Sequence, residues 1–469
     1  MLPLIEFPHI VEHYAPWFES VFSDDALVQF KRYLSGLIVS ENKTVEGINR
    51  LFVFESRNQS SLNRLLTASP FSEEQLNQQR LAMLGSFAGT RLKKKGVLSV
   101  DDTLLTHYGE QFDEIAKLYD AVDDRYVWAH NLVNVHYSDD QTDYPVKYQL
   151  WKPADLEKVE QGLQELGIPL RESKFALKAD DPKKWHQYLL GVWSRNQDEP
   201  GVAELYQSKL WIARELLHQW VEEHPEVKLP VTFDNWYTQP AFCRYLDQDL
   251  ELPYVGTLAN DNLVILKRGH LTLDEFADQL KQEHLQAVAT DGKPVFHKIG
   301  IPYKGEKEIY YSYCRNHRIK NFGKQRLLIN FSKPDLSDSP NFYNSNRLYW
   351  QSVGITRIRR HRWPVETYHE EGKAEGLDKY QIRDFQAISR HIGLVAVAYS
   401  LLRSAPHDEA LLHKLQHQLE IDLDGSVPFW RRATQAQSLW ALACFLSAGL
   451  SQGHSLRNLM APLLTSVCY

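Results

Sequence analysis

The sequence predicts an α/β protein: a mixed-sheet core carrying a β-rich insertion, with helical regions at both ends. Three observations predict it. Apolar, strand-like runs at 97–100 and 231–233 each lead into aspartate, first Asp101-Asp102 and then Asp234. Between and beyond them lie segments whose apolar residues recur at helical spacing, as at 202–223. From 259 to 350, short runs such as LVILKRG, VFHKIGIP, EIYYSYC and RLLINFS are broken by Gly, Asn, Asp and Pro turns.

Composition sets the bounds. A chain of 469 residues implies roughly two to four domains with ample core. Hydrophobic content of 43% and charged content of 24% are ordinary for a globular protein. The net charge of −7 gives no global nucleic-acid signature, so any such surface must be a local patch. The four cysteines form no CxxC pair, which argues against a zinc site or a disulfide framework and fits a reducing cytosol. The first twenty residues lack a basic stretch followed by an apolar run, so no signal peptide is expected. No apolar run reaches the roughly 18 residues of a membrane span, and the expected location is cytoplasmic.

Residues 1–95 read as a helical region. Helices are expected at 24–37, 44–54 and 72–84, each opening on a polar cap residue. The Ser-Pro in LLTASPFSEEQL separates two of them. Packing and DNA binding are equally open roles for this region.

The core is expected over 96–258. Four cations in RLKKKGVLSVDDT lead into a strand with Asp101 and Asp102 at its exit. A carboxylate at the end of a buried strand is costly unless paired or coordinated. Runs at 125–137 and 144–151 alternate around the turn cluster SDDQTD and read as a hairpin. Three strands with an acid on the first open a ribonuclease-H-like sheet, and many other α/β folds begin the same way. Helices follow at 155–166 and 202–223, with a polar stretch at 172–197 between them. The strand VTF then ends in Asp234, a turn or cap residue if taken alone and a ligand if paired with Asp102. A helix at 239–248 and a strand at 254–258 complete this part.

The insertion, 259–350, carries Arg315, His317, Arg318, Lys320, Lys324 and Arg326 beside Tyr310, Tyr311 and Tyr313. Cations interleaved with aromatics suit a nucleic-acid surface. A solvated strand pair over a buried aromatic face fits equally well.

The second part of the core, 351–404, holds the stretch RIRRHRWPVETYHEEGK. Arg357, Arg359, Arg360, His361 and Arg362 precede a helix that Trp363 and Pro364 open, Pro being at home in a first turn. Glu366 and Lys373 lie four and seven residues beyond Arg362. Those offsets put cation, carboxylate and cation on one helical face. Solvated surface helices pair charges this way too. With a block of arginines in front and two aspartate-bearing strands upstream, the pattern suits a site holding a metal ion and a phosphate backbone together. A long apolar-faced helix follows from 376 to 402, and 405–469 is again helical.

Together these pieces resemble the DDE transposases of bacterial insertion sequences, in the branch marked by a Tyr-Arg-Glu-Lys signature. That signature reads Tyr, two residues, Arg, three residues, Glu, six residues, Lys. Arg362, Glu366 and Lys373 match it in spacing, while Arg359 stands where the pattern has Tyr. VDDT resembles the first acidic motif, in which the acid directly before Thr is the ligand; that points to Asp102, with Asp101 as the fallback. VTFDNWY resembles the second motif and gives Asp234. The resemblance runs from about Phe30 to Leu402. It implies a ribonuclease-H-like core, with Asp102, Asp234 and Glu366 as catalytic ligands of two Mg²⁺ ions that Mn²⁺ can replace. It implies DNA as substrate and partner, bound through Arg362, Lys373, Arg359, Arg360, Arg318 and Lys320. It also implies a homodimer in a synaptic complex, working in a bacterial cytoplasm at the nucleoid. The missing Tyr leaves a hairpin cleavage route open, with Trp236, Tyr349, Trp350 and Trp363 as stacking candidates for a flipped base. Two other classes compete: a catalytically silent DNA-binding relative, and a carboxylate-pair glycosidase. The latter does not account for the arginines around Glu366.

Overall fold

The computed structural model describes residues 3–53, 58–197, 199–267, 269–303, 305–420 and 425–468, with side chains to 464. The end of the expected 44–54 helix, Phe54, and the last residue of the C-terminal region, Tyr469, lie outside them. The N-terminal region is helical. Its main elements are α1 (Asp24–Val39), α2 (Gln59–Thr67) and α3 (Glu73–Ser86). Asn58 and Ser72 cap the last two by accepting from Ser60 N and Gln75 N. Only Val45–Asn49 of the 44–54 stretch is helical.

The sheet begins with β1 (Val97–His107), β2 (Ala116–Asp120), β3 (Arg125–Ser138) and β4 (Asp143–Trp151). β1 is longer than the sequence suggests. It pairs with β3 along its whole length, so Asp101 and Asp102 sit mid-strand rather than at its exit. A small helical lobe follows, built on α4 (Leu156–Glu165) and α5 (Pro182–Arg195). Trp185, Leu189 and Trp193 of α5 pack with Val159 and Leu163 in a core of their own. The polar 172–197 stretch thus hides an amphipathic helix that its charged outer face obscures. Then come α6 (Lys209–Glu223), β5 (Val231–Phe233) and β6 (Tyr254–Leu258).

The insertion holds β7 (Leu263–Ile265), β8 (His270–Thr272), α7 (Leu273–Ala289), β9 (His297–Tyr303), β10 (Glu306–Ile319), β11 (Gly323–Phe331) and β12 (Asn341–Ser345). The 17-residue α7 was not evident in a stretch read as β-rich. A capping box between Thr272 and Glu275 starts it. The insertion also extends the core sheet. β12 pairs with β6, and the strand order β2-β3-β1-β5-β6-β12-β11-β10-β7-β8 makes one twelve-stranded mixed sheet, with β4 on β3 and β9 on β10.

The chain ends in α8 (Ser352–Arg360), α9 (Trp363–Ala374), α10 (Phe385–Ser404), α11 (Glu409–Leu419), α12 (Val427–Ser451) and α13 (Leu456–Cys468). The arginine block is itself helical, in α8, and residues 376–384 form no helix. One face of the sheet is covered by α6 and the other by α9 and α10, with the N-terminal helices packed against α10. Leu34, Leu65 and Leu84 from those helices share one apolar core with Leu132, Val146 and Leu394. α10 is long and apolar enough to cross a membrane, but 83% of its apolar window is buried inside the protein, as in a core helix.

Candidate active site

Strand geometry sorts the acids. Successive residues of a strand point to opposite faces. Ser99 donates its hydroxyl to the carbonyl of His361 at 2.9 Å, so Ser99 and Asp101 look toward α8 and α9. Val100 and Asp102 look the other way, toward α6. The parallel pairing of β1 with β5 matches Val100 with Phe233. The next residues are Asp101 and Asp234, which therefore stand side by side at the carboxyl end of β5. That is where open α/β sheets gather ligands.

α9 brings the third acid to the same face. Arg362, at its N-cap, donates Nη1 to Asp101 Oδ2 at 2.8 Å and Nη2 to Glu366 Oε1. One guanidinium thus bridges the strand acid and the helix acid. Arg359 lies over the Tyr343 ring, 5.6 Å from its centroid, within electrostatic reach of Glu366 and Asp234. Burial pushes the Asp101 carboxyl up to about 7; Arg362 pulls it down, while Asp234 and Asp102 push it further up. Asp234 also does what its bland reading foretold: Oδ1 accepts from Trp236 N and Tyr237 N at 3.0 and 3.1 Å, an Asx turn.

Asp102, the acid singled out by the resemblance, does not share the face of Glu366. Its Oδ2 accepts from Asn131 Nδ2 at 2.6 Å and from Lys209 Nζ at 2.9 Å, and its Oδ1 from the Tyr237 hydroxyl at 2.8 Å. Strand alternation is the reason. A one-residue step moves a side chain through the sheet, and tandem aspartates place one on each side. The two faces meet at the edge of β1, where pairing with β5 stops at Val100. There a cleft of about 660 Å³ opens, lined by Asp102, Lys209, Lys373, Trp151 and the β2–β3 hairpin.

The basic residues are dispersed. Arg362 and Arg359 stand among the acids, and Lys373 lines the cleft. Arg360 pairs with Glu308 and lies over the Tyr303 ring, 4.4 Å from its centroid. Arg318 and Lys320 are exposed but remote from the acids. Phe342 pairs with Leu258, and Arg326 with Ser345, so the Arg318–Lys324 end lies past the amino end of β6, opposite Asp234. Among the stacking candidates, Trp236, Tyr349 and Trp363 are exposed, while Trp350 packs against the α8 core. Sequence reading missed Lys209, Asn131 and Tyr237. A lysine at the first position of α6 was a usable signal, since a cation there opposes the helix dipole unless an anion holds it. Its ammonium also sits 4.2 Å from the Trp236 ring centroid.

A family model described as DDE superfamily endonuclease matches residues 17–272, more than half of the chain. The chain belongs to that superfamily. The matched span holds Asp101, Asp102 and Asp234 and stops short of Glu366. No curated protein matches the chain. DDE superfamily endonucleases act on DNA and generally use divalent metals. In this member the carboxylates offer hard oxygen donors of the kind Mg²⁺ and Mn²⁺ accept. Among the described residues, no three acid, His or Cys side chains are gathered at ligating distance. The Arg362 guanidinium stands between two of the acids instead.

Proposed function

We propose that the protein is a DNA transposase. It binds the terminal inverted repeats of its insertion sequence, cleaves at the ends and joins the 3′ ends to target DNA, working as a homodimer in a bacterial cytoplasm. The observation that carries this is the side-by-side placement of Asp101 and Asp234 at the carboxyl end of β5, with Glu366 tied to Asp101 through Arg362. An acid-rich, partly desolvated point flanked by cations suits phosphoryl transfer, where catalysis is positioning and charge stabilisation.

Asp101, Asp234 and Glu366 would hold two divalent ions, Asp101 lying between the other two. Such ions, when bound, supply an activated oxygen nucleophile and stabilise the leaving oxygen. Arg362 balances the acids before they are occupied and turns to a DNA phosphate once displaced, a bidentate task suited to a guanidinium. Lys373 and Lys209 draw the backbone along the cleft as point charges. Asp102 holds Lys209 and the Tyr237 hydroxyl in place. Exposed Trp236 and Trp363 flank the site as stacking surfaces.

The test is nicking of DNA that carries the element's own ends, with Mg²⁺ or Mn²⁺. Glu366→Gln should abolish nicking and spare end binding. Surviving activity would remove Glu366 from the ligand set. Wild-type protein that binds ends yet never cleaves would identify a silent DNA-binding relative.

A further inference from the structure

One buried oxygen beside the acids has no partner. Asn134, on β3, is fully buried, and its Oδ1 meets no hydrogen-bond donor among the described residues. A buried amide oxygen left bare costs free energy, so its presence needs a reason. Asn134 stands directly opposite Asp101 in the β1–β3 pairing. Residues so paired point to the same face, with Cβ atoms about 4.5–5.5 Å apart. Asn134 therefore shares the face of Asp101 and Glu366.

The amide is oriented from behind. Nδ2 donates to the Leu132 carbonyl at 3.3 Å and meets His369 Nε2 at 3.1 Å. A carbonyl only accepts, so the nitrogen end of the amide faces Leu132 whatever the ring does. His369 Nε2 must then accept too, which puts the ring proton on Nδ1 and leaves the ring neutral. Burial, then His136, Lys373 and Arg362, favour the same neutral form. His369 lies three residues after Glu366 and four before Lys373, on the inner face of α9. The helix that brings the third acid thus also brings the acceptor that turns Asn134 Oδ1 away from Leu132 and His369.

The neighbours offer that oxygen nothing. Ionised Asp101 and Glu366 only accept, and the Arg362 guanidinium donates to both of them. A hard divalent cation, or a water on it, suits a bare amide oxygen beside carboxylates. A neutral oxygen also adds a donor without adding a like charge to a point already crowded with acids. Three carboxylates shared by two six-coordinate ions leave positions open for it.

We propose that Asn134 Oδ1 is a further oxygen donor to the divalent ion at Asp101, directly or through one of its waters, and that His369 is the positioning residue that aims it. This rests on the ligand set of the transposase reading. Its test counts bound ions rather than cleaved DNA, so either can fail alone. The full-length protein, free of DNA, is titrated with Mn²⁺, and the free ion is counted by electron paramagnetic resonance. Each variant is also melted in EDTA and in Mn²⁺. Wild type should bind the ion, and Asp101→Asn should lose it. Asn134→Leu, close to Asn in shape, should bind at least about tenfold more weakly, and Mn²⁺ should raise its melting temperature less than it raises that of wild type. His369→Leu should lose about as much. His369→Gln, whose amide oxygen can accept from Asn134, should recover most of it. Should Asn134→Leu fail to fold, the two His369 variants carry the test. Asn134→Leu binding within about twofold of wild type overturns the proposal, as does His369→Gln binding no better than His369→Leu. A wild type that takes up no Mn²⁺, or an Asp101→Asn protein that binds as wild type does, also overturns it. If the expected pattern holds while no DNA end is ever nicked, the donor stands and the transposase reading falls.

Discussion

Asp101 and Asp102 are adjacent, yet their substitution should give different phenotypes. Asp101 is 14% exposed and hydrogen-bonded to Arg362, on the face of Glu366 and level with Asp234. In Asp101→Asn the side chain keeps its shape but can no longer neutralise a cation. Nicking should fall by at least about three powers of ten, or ~4 kcal/mol in the barrier. Asp102 acts through Lys209 and Tyr237, so Asp102→Asn should cost about 10–100-fold, the usual penalty for a supporting partner. Stability moves the opposite way for Asp101. Its folded pKa is raised from 3.8 to about 7, so the stability it contributes is full below about pH 4 and is lost as pH rises through 7. At about 1.4 kcal/mol per unit over about three units, the loss is on the order of 4 kcal/mol. Asp101→Asn escapes it, and its melting temperature relative to wild type, in EDTA, should climb between pH 4 and pH 8. Two results would refute this reasoning: Asp102→Asn proving the more damaging for nicking, or Asp101→Asn losing ground as pH rises.

Two further outcomes follow from the packing around the site. Burial pushes the Asp143 carboxyl up, but Arg403, then His136 and Tyr399, more than offset it and hold the group well below the carboxylate range. Its contribution is present above about pH 4 and fades as pH falls below that. Asp143→Asn leaves Arg403 buried without its 2.7 Å partner, so thermal melts at pH 7 should show about 3–5 kcal/mol of destabilisation, shrinking toward pH 2. In Gly256→Ala the new Cβ meets Asn344 Oδ1 at 2.8 Å, and Phe233 and Thr238 at 2.9 Å. Thr238 donates to the carbonyl of Asp234, so the substitution should cost about 1–3 kcal/mol in melts and depress nicking beyond that loss, with end binding retained.

The helix bearing Glu366 was legible because three local signals agree: Pro in the first turn, charges at offsets of four and seven, and a preceding basic block. α9 runs Trp363–Ala374 with Arg362 as its cap, as those signals require. The β3–β4 hairpin was legible through its alternation and its polar turn. What stayed hidden was non-local. The length of β1 depends on β3 pairing with it far past the acids, and no residue near 101 signals that. The face of each aspartate depends on where α8 returns, which Ser99 and His361 decide across 262 positions of chain. The dispersal of the basic residues was hidden for the same reason. Arg318 and Lys320 are close to aromatics in sequence, but register alone sends them to the far rim.

The distance from Asp234 to Glu366 along the chain looks unfavourable for a site, since closing a long flexible loop is entropically costly. The fold removes that cost. The insertion starts after β6, and its last strand, β12, returns beside β6, antiparallel to it, with Phe342 opposite Leu258. Between those points it folds on a core of its own around α7, with Phe276, Phe296, Ile329 and Phe331. What remains to be closed is the short run from Ser345 to the start of α8, which Asn346 pins by donating to the Leu252 carbonyl at 3.0 Å. Ile355 and Ile358 of α8 then pack on Val97, Val255 and Leu328, strands on both sides of the junction. The third acid is therefore placed by the register of β6 with β12. A slip of one residue there would turn Phe342 and Asn344 to the wrong faces and carry α8, Arg362 and Glu366 away from Asp101.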